Sequence, residues 1–226
     1  MITFKNVTKR FGLITALTEV SLGVEKGDFA FITGPSGSGK TTIIRLILRD
    51  LTPTSGEIIF ADRNLAKLDK SQLPFYRRQI GCVFQDLKLL GDRTIGENIA
   101  LTLAISGVSQ ERQRIRAKEA LSYVGLDTRI DSFPSQLAGG ELQRAVIARS
   151  IIHDPKLILA DEPTGNLDPG TAWEIVQLLA KINKDGTTVL MATHNREIVD
   201  KMKKHVIELK KGKIVRDRES GKYEND

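Results

Sequence analysis

The sequence predicts a mostly parallel α/β fold interrupted by a helical insertion. Apolar runs typical of buried strands occur at Phe29–Thr33 and in "QIGCVF", "KLILAD" and "TTVLMAT". A helical pattern at about 170–183 separates the last two, and strands that alternate with helices are typical of a parallel sheet. Between about 87 and 152 helical patterns dominate, at roughly 94–106, 109–124 and 139–152. We therefore expect a single domain over 1–226, with a core lobe at about 1–86 and 151–226 and a helical subdomain at about 87–150.

Further strands are expected near both ends of the chain. Ile2 and Phe4 alternate with polar residues, Val20, Leu22 and Val24 repeat that period of two, and "GEIIFA" follows later. The stretch "HVIELKKGKIVRD" has the pattern of a hairpin, with Lys211 and Gly212 at its turn.

The composition is that of a soluble globular protein. Of the 226 residues, 40% are hydrophobic and 27% are charged. The longest stretch without a charged residue, 98–110, is much shorter than the ~20 apolar residues that a membrane-spanning helix needs. The N-terminus lacks the apolar region of a secretory signal, and Cys82, the single cysteine, is expected to be a buried strand residue. These features favour the cytoplasm.

The net charge of +6 is compatible with several anionic partners. Residues 201–216 contain seven Lys and Arg and one Glu. The favoured interpretation is a solvated face on the terminal hairpin, and the alternative is peripheral contact with anionic lipid. The charge by itself does not choose a partner.

The stretch "GPSGSGKTT" fits the phosphate-loop pattern G-x-x-x-x-G-K-[ST] and lies between a predicted strand and a predicted helix. Its glycines let the main chain bend so that several N–H groups converge on a phosphate at the positive end of the helix. The ammonium group of the lysine is expected at the β- and γ-phosphates, and the threonine hydroxyl after it at Mg²⁺. The predicted nucleotide-binding residues are Gly34, Pro35, Ser36, Gly37, Ser38, Gly39, Lys40, Thr41 and Thr42.

Four polar residues follow apolar strands at the sheet edge where such folds bind ligands. Asp161 is expected to hold Mg²⁺, and Glu162 to polarise an attacking water. Gln85 could reach the same metal or water, and His194 could bind the γ-phosphate. Taken alone, the acidic pair could instead cap the next element, the glutamine could be merely solvated, and the histidine could be structural.

Together, "GPSGSGKTT", "VFQD", "QLAGGELQR", "LILADEPTGNLD" and "MATHN" resemble the phosphate loop, Q-loop, signature, Walker B with D-loop, and H-loop of ABC-type ATPases. The resemblance covers nearly the whole chain. It implies an N-terminal antiparallel β part, ATP and Mg²⁺ as ligands, catalytic roles for Lys40, Gln85, Glu162 and His194, and Mg²⁺ contacts from Thr41, Gln85 and Asp161.

The resemblance also implies a head-to-tail homodimer with each ATP between two copies. One copy would supply the phosphate loop and the other Ala138, Gly139 and Gly140, with Asp168 near the seam. Phe11 would stack on adenine, although an early aromatic could instead be buried. The signature departs from the family's usual form, because Ala138 replaces a serine and Leu142 replaces a glutamine.

Softer features, including "VFQDLKLLGDRTIGENIA" and the ending "RESGKYEND", are similar to bacterial cell-division members of the family. This implies a separate integral membrane partner and a place at the cytoplasmic face of the cell membrane, at the division site. A lipoprotein-release or macrolide-export ATPase, a nucleic-acid ATPase and a scaffold that rarely cleaves ATP stay as alternatives. No nucleic acid is expected, because the chain lacks the long coiled coil of DNA-repair members.

Overall fold

A computed structural model describes residues 1–219, so the end of the stretch "RESGKYEND" lies outside the described residues. Two sheets form the fold. A four-stranded antiparallel sheet has the order β2-β1-β4-β5, and a six-stranded sheet has the order β10-β9-β3-β8-β7-β6. The strands are β1 Ile2–Phe11, β2 Ile14–Val24, β3 Phe29–Thr33, β4 Ser55–Phe60, β5 Arg63–Asn64, β6 Ile80–Phe84, β7 Leu157–Asp161, β8 Thr188–Ala192, β9 His205–Lys210 and β10 Lys213–Arg218.

All strand pairs of the six-stranded sheet are parallel except β9 with β10. The predicted mostly parallel core and the antiparallel N-terminal part are therefore confirmed. The α-helices are α1 Lys40–Ile47, α2 Leu73–Arg77, α3 Ile95–Ile105, α4 Gln110–Tyr123, α5 Gly139–Ile151, α6 Pro169–Lys184 and α7 Arg196–Met202. Helices α3, α4 and α5 fall within the stretch expected to be helical, while the division of the chain at residues 87 and 150 stays a prediction.

The six-stranded sheet separates two hydrophobic cores, because successive strand residues point to opposite faces. On one face, Phe29 and Phe31 pack with the helical layer α3 to α7. On the other, Ala30 and Ile32 pack with α1 and the antiparallel sheet. With both faces covered, the central strands are buried throughout, which explains their continuous apolar runs.

The C-terminal hairpin has the predicted turn. Lys211 and Gly212 both have positive φ angles, 50° and 75°, as a two-residue type I′ turn requires. Strand β10 is the edge of its sheet, and it presents Lys213, Arg216 and Arg218. Charged residues on an edge strand oppose pairing with other chains, so this part of the basic run has a structural role at the sheet edge.

The sequence predicts that Cys82 is a buried strand residue. Cys82 lies in β6 but is only partly buried, and burial raises the pKa of its thiol to about 12, so the thiol is protonated at neutral pH. Within residues 1–219, no helix combines the length and the apolar character needed to cross a bilayer.

Candidate active site

The strand register brings the predicted site residues to one edge of the six-stranded sheet. Ile32 of β3, Ala192 of β8, Asp161 of β7 and Phe84 of β6 are level with one another across the four strands. The residues that follow these positions therefore leave the sheet side by side, at the carboxyl ends of parallel strands. This is the edge at which open α/β sheets bind ligands.

The phosphate loop has the tight backbone that its glycines predict. Gly34, Gly37 and Gly39 have φ angles of 139°, 74° and 113°, which favour glycine. A Cβ atom on Gly34 would lie 2.1 Å from the carbonyl oxygen of Leu209, and one on Gly39 would lie 2.7 Å from Cδ2 of Leu17. The first turn of α1 carries no acidic side chain. The positive end of the helix is therefore left for an anionic ligand.

Lys40 is buried and its ammonium group folds over the loop. Its Nζ donates hydrogen bonds to the carbonyl oxygens of Gly34 at 2.8 Å and Pro35 at 3.3 Å. The same Nζ lies 3.8 Å from Oε1 of Glu162. A single cation thus lies between the phosphate loop and the carboxylate that follows β7.

Thr41 and Asp161 form a pair of oxygen ligands. The Thr41 hydroxyl donates a hydrogen bond of 2.9 Å to Oδ2 of Asp161. Burial raises the pKa of Asp161, an effect that the Thr41 hydrogen bond partly offsets and that the neighbouring Glu162 reinforces. A half-buried carboxylate beside a hydroxyl is the type of oxygen set that binds Mg²⁺. The residues therefore fit the implied cation.

Glu162 has a left-handed backbone, with a φ angle of 48°. Such a conformation costs a non-glycine residue of the order of 1 kcal/mol or more. The Glu162 N–H donates to the Ala192 carbonyl at 2.9 Å, which ties the turn to β8. Oε1 of Glu162 lies 2.9 Å from Nδ1 of His194, and with an ionised carboxylate that nitrogen must carry the proton.

Gln85 completes the cleft. Its Nε2 donates a 3.2 Å hydrogen bond to Oδ1 of Asn166. The cleft has a volume of about 560 Å³ and is lined by the phosphate loop together with Gln85, Asp161, Glu162 and His194. Sequence reasoning did not single out Asn166, which lies inside the motif "TGNLD" and has no distinguishing pattern of its own.

Phe11 lies outside this lining. It ends β1 and is 43% exposed, so the alternative of a buried aromatic is wrong. The Lys9 ammonium lies 4.9 Å from the centre of its ring. The adenine-stacking role of Phe11 stays a prediction.

Ala138, Gly139, Gly140 and Asp168 also lie outside the cleft lining, at the beginnings of α5 and α6. A Cβ atom on Gly140 would lie 2.5 Å from Cγ2 of Thr171, and Oδ1 of Asp168 accepts a 3.0 Å hydrogen bond from the Thr171 N–H. The signature glycine and the aspartate therefore approach the same threonine. The fold brings Gly140 and Asp168 together at Thr171, and none of the four residues lines the cleft beside the phosphate loop.

Ala138 is exposed at the N-cap of α5. Its N–H donates a 3.0 Å hydrogen bond to Oε2 of Glu141, and this bond is the main reason that the pKa of Glu141 is lowered. Leu142 is half-buried against the helical core and lines a second cleft with Leu87, Leu89 and Pro134. Apolar contact therefore accounts for a leucine at position 142.

Comparisons with known proteins agree with a nucleotide-binding site of this geometry. The sequence profile of the ABC transporter family matches residues 17–165. The dimeric ATP-binding cassette MJ0796 in a post-hydrolysis state, bound to ADP and Pi, is 38% identical, with a TM-score of 0.87 over 99% of this chain and 100% of that one. The chain belongs to the ABC transporter family and is an ATPase of that family.

Relatives that match the chain over nearly its whole length include cell division ATP-binding proteins. The cell division ATP-binding protein FtsE of Streptococcus pneumoniae is 46% identical over 100% of this chain and 99% of its own length. FtsE of Bacillus subtilis is 47% identical over 99% and 98% of the two chains. FtsE of Escherichia coli is 42% identical over 95% and 97%.

Proposed function

We propose that this chain is the ATP-hydrolysing subunit of a membrane complex that acts in bacterial cell division. The observation that supports the proposal most strongly is the convergence of Lys40, Glu162 and His194 at the sheet edge, next to the phosphate loop. A purely structural acidic pair would not need a buried lysine on one side and a histidine on the other.

The proposed reaction is attack by water on the γ-phosphorus of ATP. The new bond joins the water oxygen to phosphorus, the bond to the bridging oxygen breaks, and ADP and phosphate leave. Glu162 accepts the proton from the water, and His194 holds the Glu162 carboxylate and contacts the γ-phosphate. Lys40 and the main-chain N–H groups of the phosphate loop bind the phosphate oxygens and stabilise the charge that they carry.

Thr41 and Asp161, with Gln85 nearby, are the proposed holders of Mg²⁺, which when bound neutralises phosphate charge. The Thr41 hydroxyl and the Asp161 carboxylate are already 2.9 Å apart. Gln85 is directed toward the same cleft by Asn166. These side chains therefore need little rearrangement to act as a set of oxygen ligands.

We further propose that two copies associate head to tail in the ATP-bound state. Ala138, Gly139, Gly140 and Asp168 do not line the chain's own cleft, and a second copy gives them a nucleotide to contact. The related MJ0796 cassette is dimeric in the solved structures. In such a dimer each ATP would lie between one copy's phosphate loop and the other copy's signature motif.

The membrane partner that we propose is an integral membrane protein of the FtsX type. Full-length relatives of 42–47% identity bear the name FtsE, a cell division ATP-binding protein. A groove of about 710 Å³ between α3 and α4, lined by Leu90, Arg93, Ala100, Leu101 and Arg114 among others, offers mixed apolar and charged contacts to a cytoplasmic segment of that partner. The complex would work at the cytoplasmic face of the membrane at the division site and regulate peptidoglycan hydrolysis.

Peripheral contact with lipid forms part of this proposal, since Lys203, Lys204, Lys210 and Lys211 are all exposed.

The experiment that tests the proposed function is purification of the chain with its membrane partner, followed by measurement of MgATP-dependent phosphate release. An FtsX-like protein in the complex supports the cell-division role. A permease for lipoprotein or small solutes would instead favour a transporter, and an inactive complex would refute the ATPase proposal.

A further inference from the structure

The loop that follows β6, residues 85–90, is held by side chains from three other parts of the chain. Asn166 accepts a hydrogen bond from Gln85, and Asn98 binds both main-chain polar groups of Leu90, at 2.7 and 3.0 Å. Arg149 contacts the main chain between these two points. Because Lys88 has a left-handed φ angle of 49°, the middle of the loop adopts a conformation that a lysine does not favour by itself.

Arg149 supplies the contact at that point. It lies near the end of α5, and its Nη1 and Nη2 donate to the carbonyl oxygens of Lys88 at 2.7 Å and Leu87 at 2.8 Å. The planar guanidinium group can bind two successive carbonyls at a fixed spacing, which the flexible point charge of a lysine cannot reproduce. Arg149 therefore fixes both the position and the bend of this loop.

We infer that Arg149 is a positioning residue for ATP hydrolysis, because it holds the Leu87 and Lys88 carbonyls and thereby fixes the main chain from which the Gln85 side chain reaches the cleft. This inference rests on the proposed ATPase function. The same helix begins at Gly139, in the motif proposed to serve the second copy's nucleotide. Helix α5 thus joins the loop of one site to the motif of the other.

A purely structural role makes a different prediction. If Arg149 only stabilised the fold, its replacement would lower thermal stability and would act in the same way whether or not Gln85 is present. If it acts through Gln85, its effect should disappear once that side chain is removed. A double-mutant cycle between the two residues separates these cases.

The experiment measures kcat and KM for ATP, and the Tm, of four proteins: wild type, Arg149→Lys, Gln85→Ala and the double variant. Arg116→Lys is the matched control, because the Nη2 of Arg116, in α4, also donates to a main-chain carbonyl, that of Ile152, and to Asp154, and Arg116 does not line the cleft. Arg149→Gln is a second variant in case the lysine variant does not fold.

We expect Arg149→Lys to lower kcat about tenfold and to change KM by less than about twofold. In the Gln85→Ala background, the same substitution should lower kcat by less than about twofold further. Arg116→Lys should leave kcat near the wild-type value. Equal effects of Arg149→Lys in both backgrounds, an equal loss in Arg116→Lys, or a wild-type rate for Gln85→Ala would overturn the inference. Absence of phosphate release by the wild-type protein would instead refute the proposed function on which it rests.

Discussion

Nδ1 of His194 lies 2.9 Å from Oε1 of Glu162, although the two residues follow different strands, β8 and β7. The contact exists because β7 and β8 are parallel neighbours whose last residues, Asp161 and Ala192, are paired. A hydrogen bond between the imidazole and one carboxylate oxygen also fixes the direction of the second carboxylate oxygen. The histidine thus orients the group proposed to receive the proton from water.

The first prediction is that His194→Ala lowers kcat by roughly two orders of magnitude, because the Glu162 carboxylate loses the contact that orients it and a misplaced catalytic group can cost about 10²-fold. Binding of MgATP should weaken much less, because Lys40 and the phosphate loop are unchanged. Steady-state phosphate release and equilibrium nucleotide titration test this pair of effects. His205→Ala is the control, since His205 forms a similar 2.6 Å contact with Asp217 far from the cleft. A near-normal kcat in His194→Ala would remove the histidine from the mechanism.

The second prediction concerns Asp161, whose pKa is raised by burial. A raised folded-state pKa means that this group stabilises the fold below its unfolded pKa, and that the stabilisation is lost as pH rises through the folded pKa. At neutral pH the carboxylate therefore costs stability until a cation binds. We expect Asp161→Asn to raise the Tm in the absence of Mg²⁺ by about 2 °C, a typical effect of a small gain in a domain of this size.

The gain from Asp161→Asn should shrink as the pH falls through the folded-state pKa, and phosphate release should be lost. Thermal unfolding with and without Mg²⁺, at neutral and mildly acidic pH, measures both trends. A lower Tm in the variant would show that the hydrogen bond from Thr41 to the charged carboxylate outweighs the cost of burial.

The third prediction is that Ala138→Ser strengthens ATP-dependent dimerisation and turnover. A serine hydroxyl at this position could bond the γ-phosphate of the opposite copy, and a hydrogen bond to a charged group contributes about 1.5–3 kcal/mol. Ala138 is also an N-cap residue, where serine stabilises a helix by roughly 0.5–2 kcal/mol. Sedimentation with a non-hydrolysable ATP analogue, beside the Tm of the monomer, distinguishes these effects. If only the Tm rises, the hydroxyl caps the helix and takes no part in dimerisation.

The fourth prediction concerns the proposed docking groove. Leu90 is 44% exposed and lines the groove, whereas Leu89 is half-buried and packs against the helical core. Leu90→Glu should therefore weaken recovery of the membrane partner while ATP binding is retained. Leu89→Glu should lower stability as well, since it places a charge against apolar side chains. Pull-down with the partner after nucleotide titration tests the contrast, and unchanged recovery with Leu90→Glu would exclude the groove as the docking site.

Much of the site could be predicted because it depends on local patterns. The phosphate loop is a contiguous motif. Gln85, Asp161 and His194 lie at or just after the ends of apolar strands, so they must meet at one edge if the sheet is parallel. The Lys211 and Gly212 turn follows from the need for two positive φ angles in a tight hairpin. Periodicity and turn chemistry were sufficient for these features.

The contacts that support the site could not be predicted in this way. Arg149 reaches the carbonyls of Leu87 and Lys88 across 62 and 61 positions of the sequence. The Gln85 and Asn166 hydrogen bond spans 81 positions. These contacts depend on how α5 and the loop after β7 pack beside β6, and no repeating pattern of residues records that packing. The partial exposure of Cys82 has the same origin, because its apolar neighbours indicate a strand but not how fully the strand is covered.

The most direct test of the account is phosphate release by Glu162→Gln. The amide retains a hydrogen-bonding oxygen for His194 but cannot accept the proton, so turnover should fall by roughly 10²–10⁴-fold, while MgATP binding and the ATP-bound dimer persist. Lys40→Ala, measured alongside, should instead lose nucleotide affinity. A Glu162→Gln protein that hydrolyses ATP at the wild-type rate would contradict the assignment of Glu162 as the base.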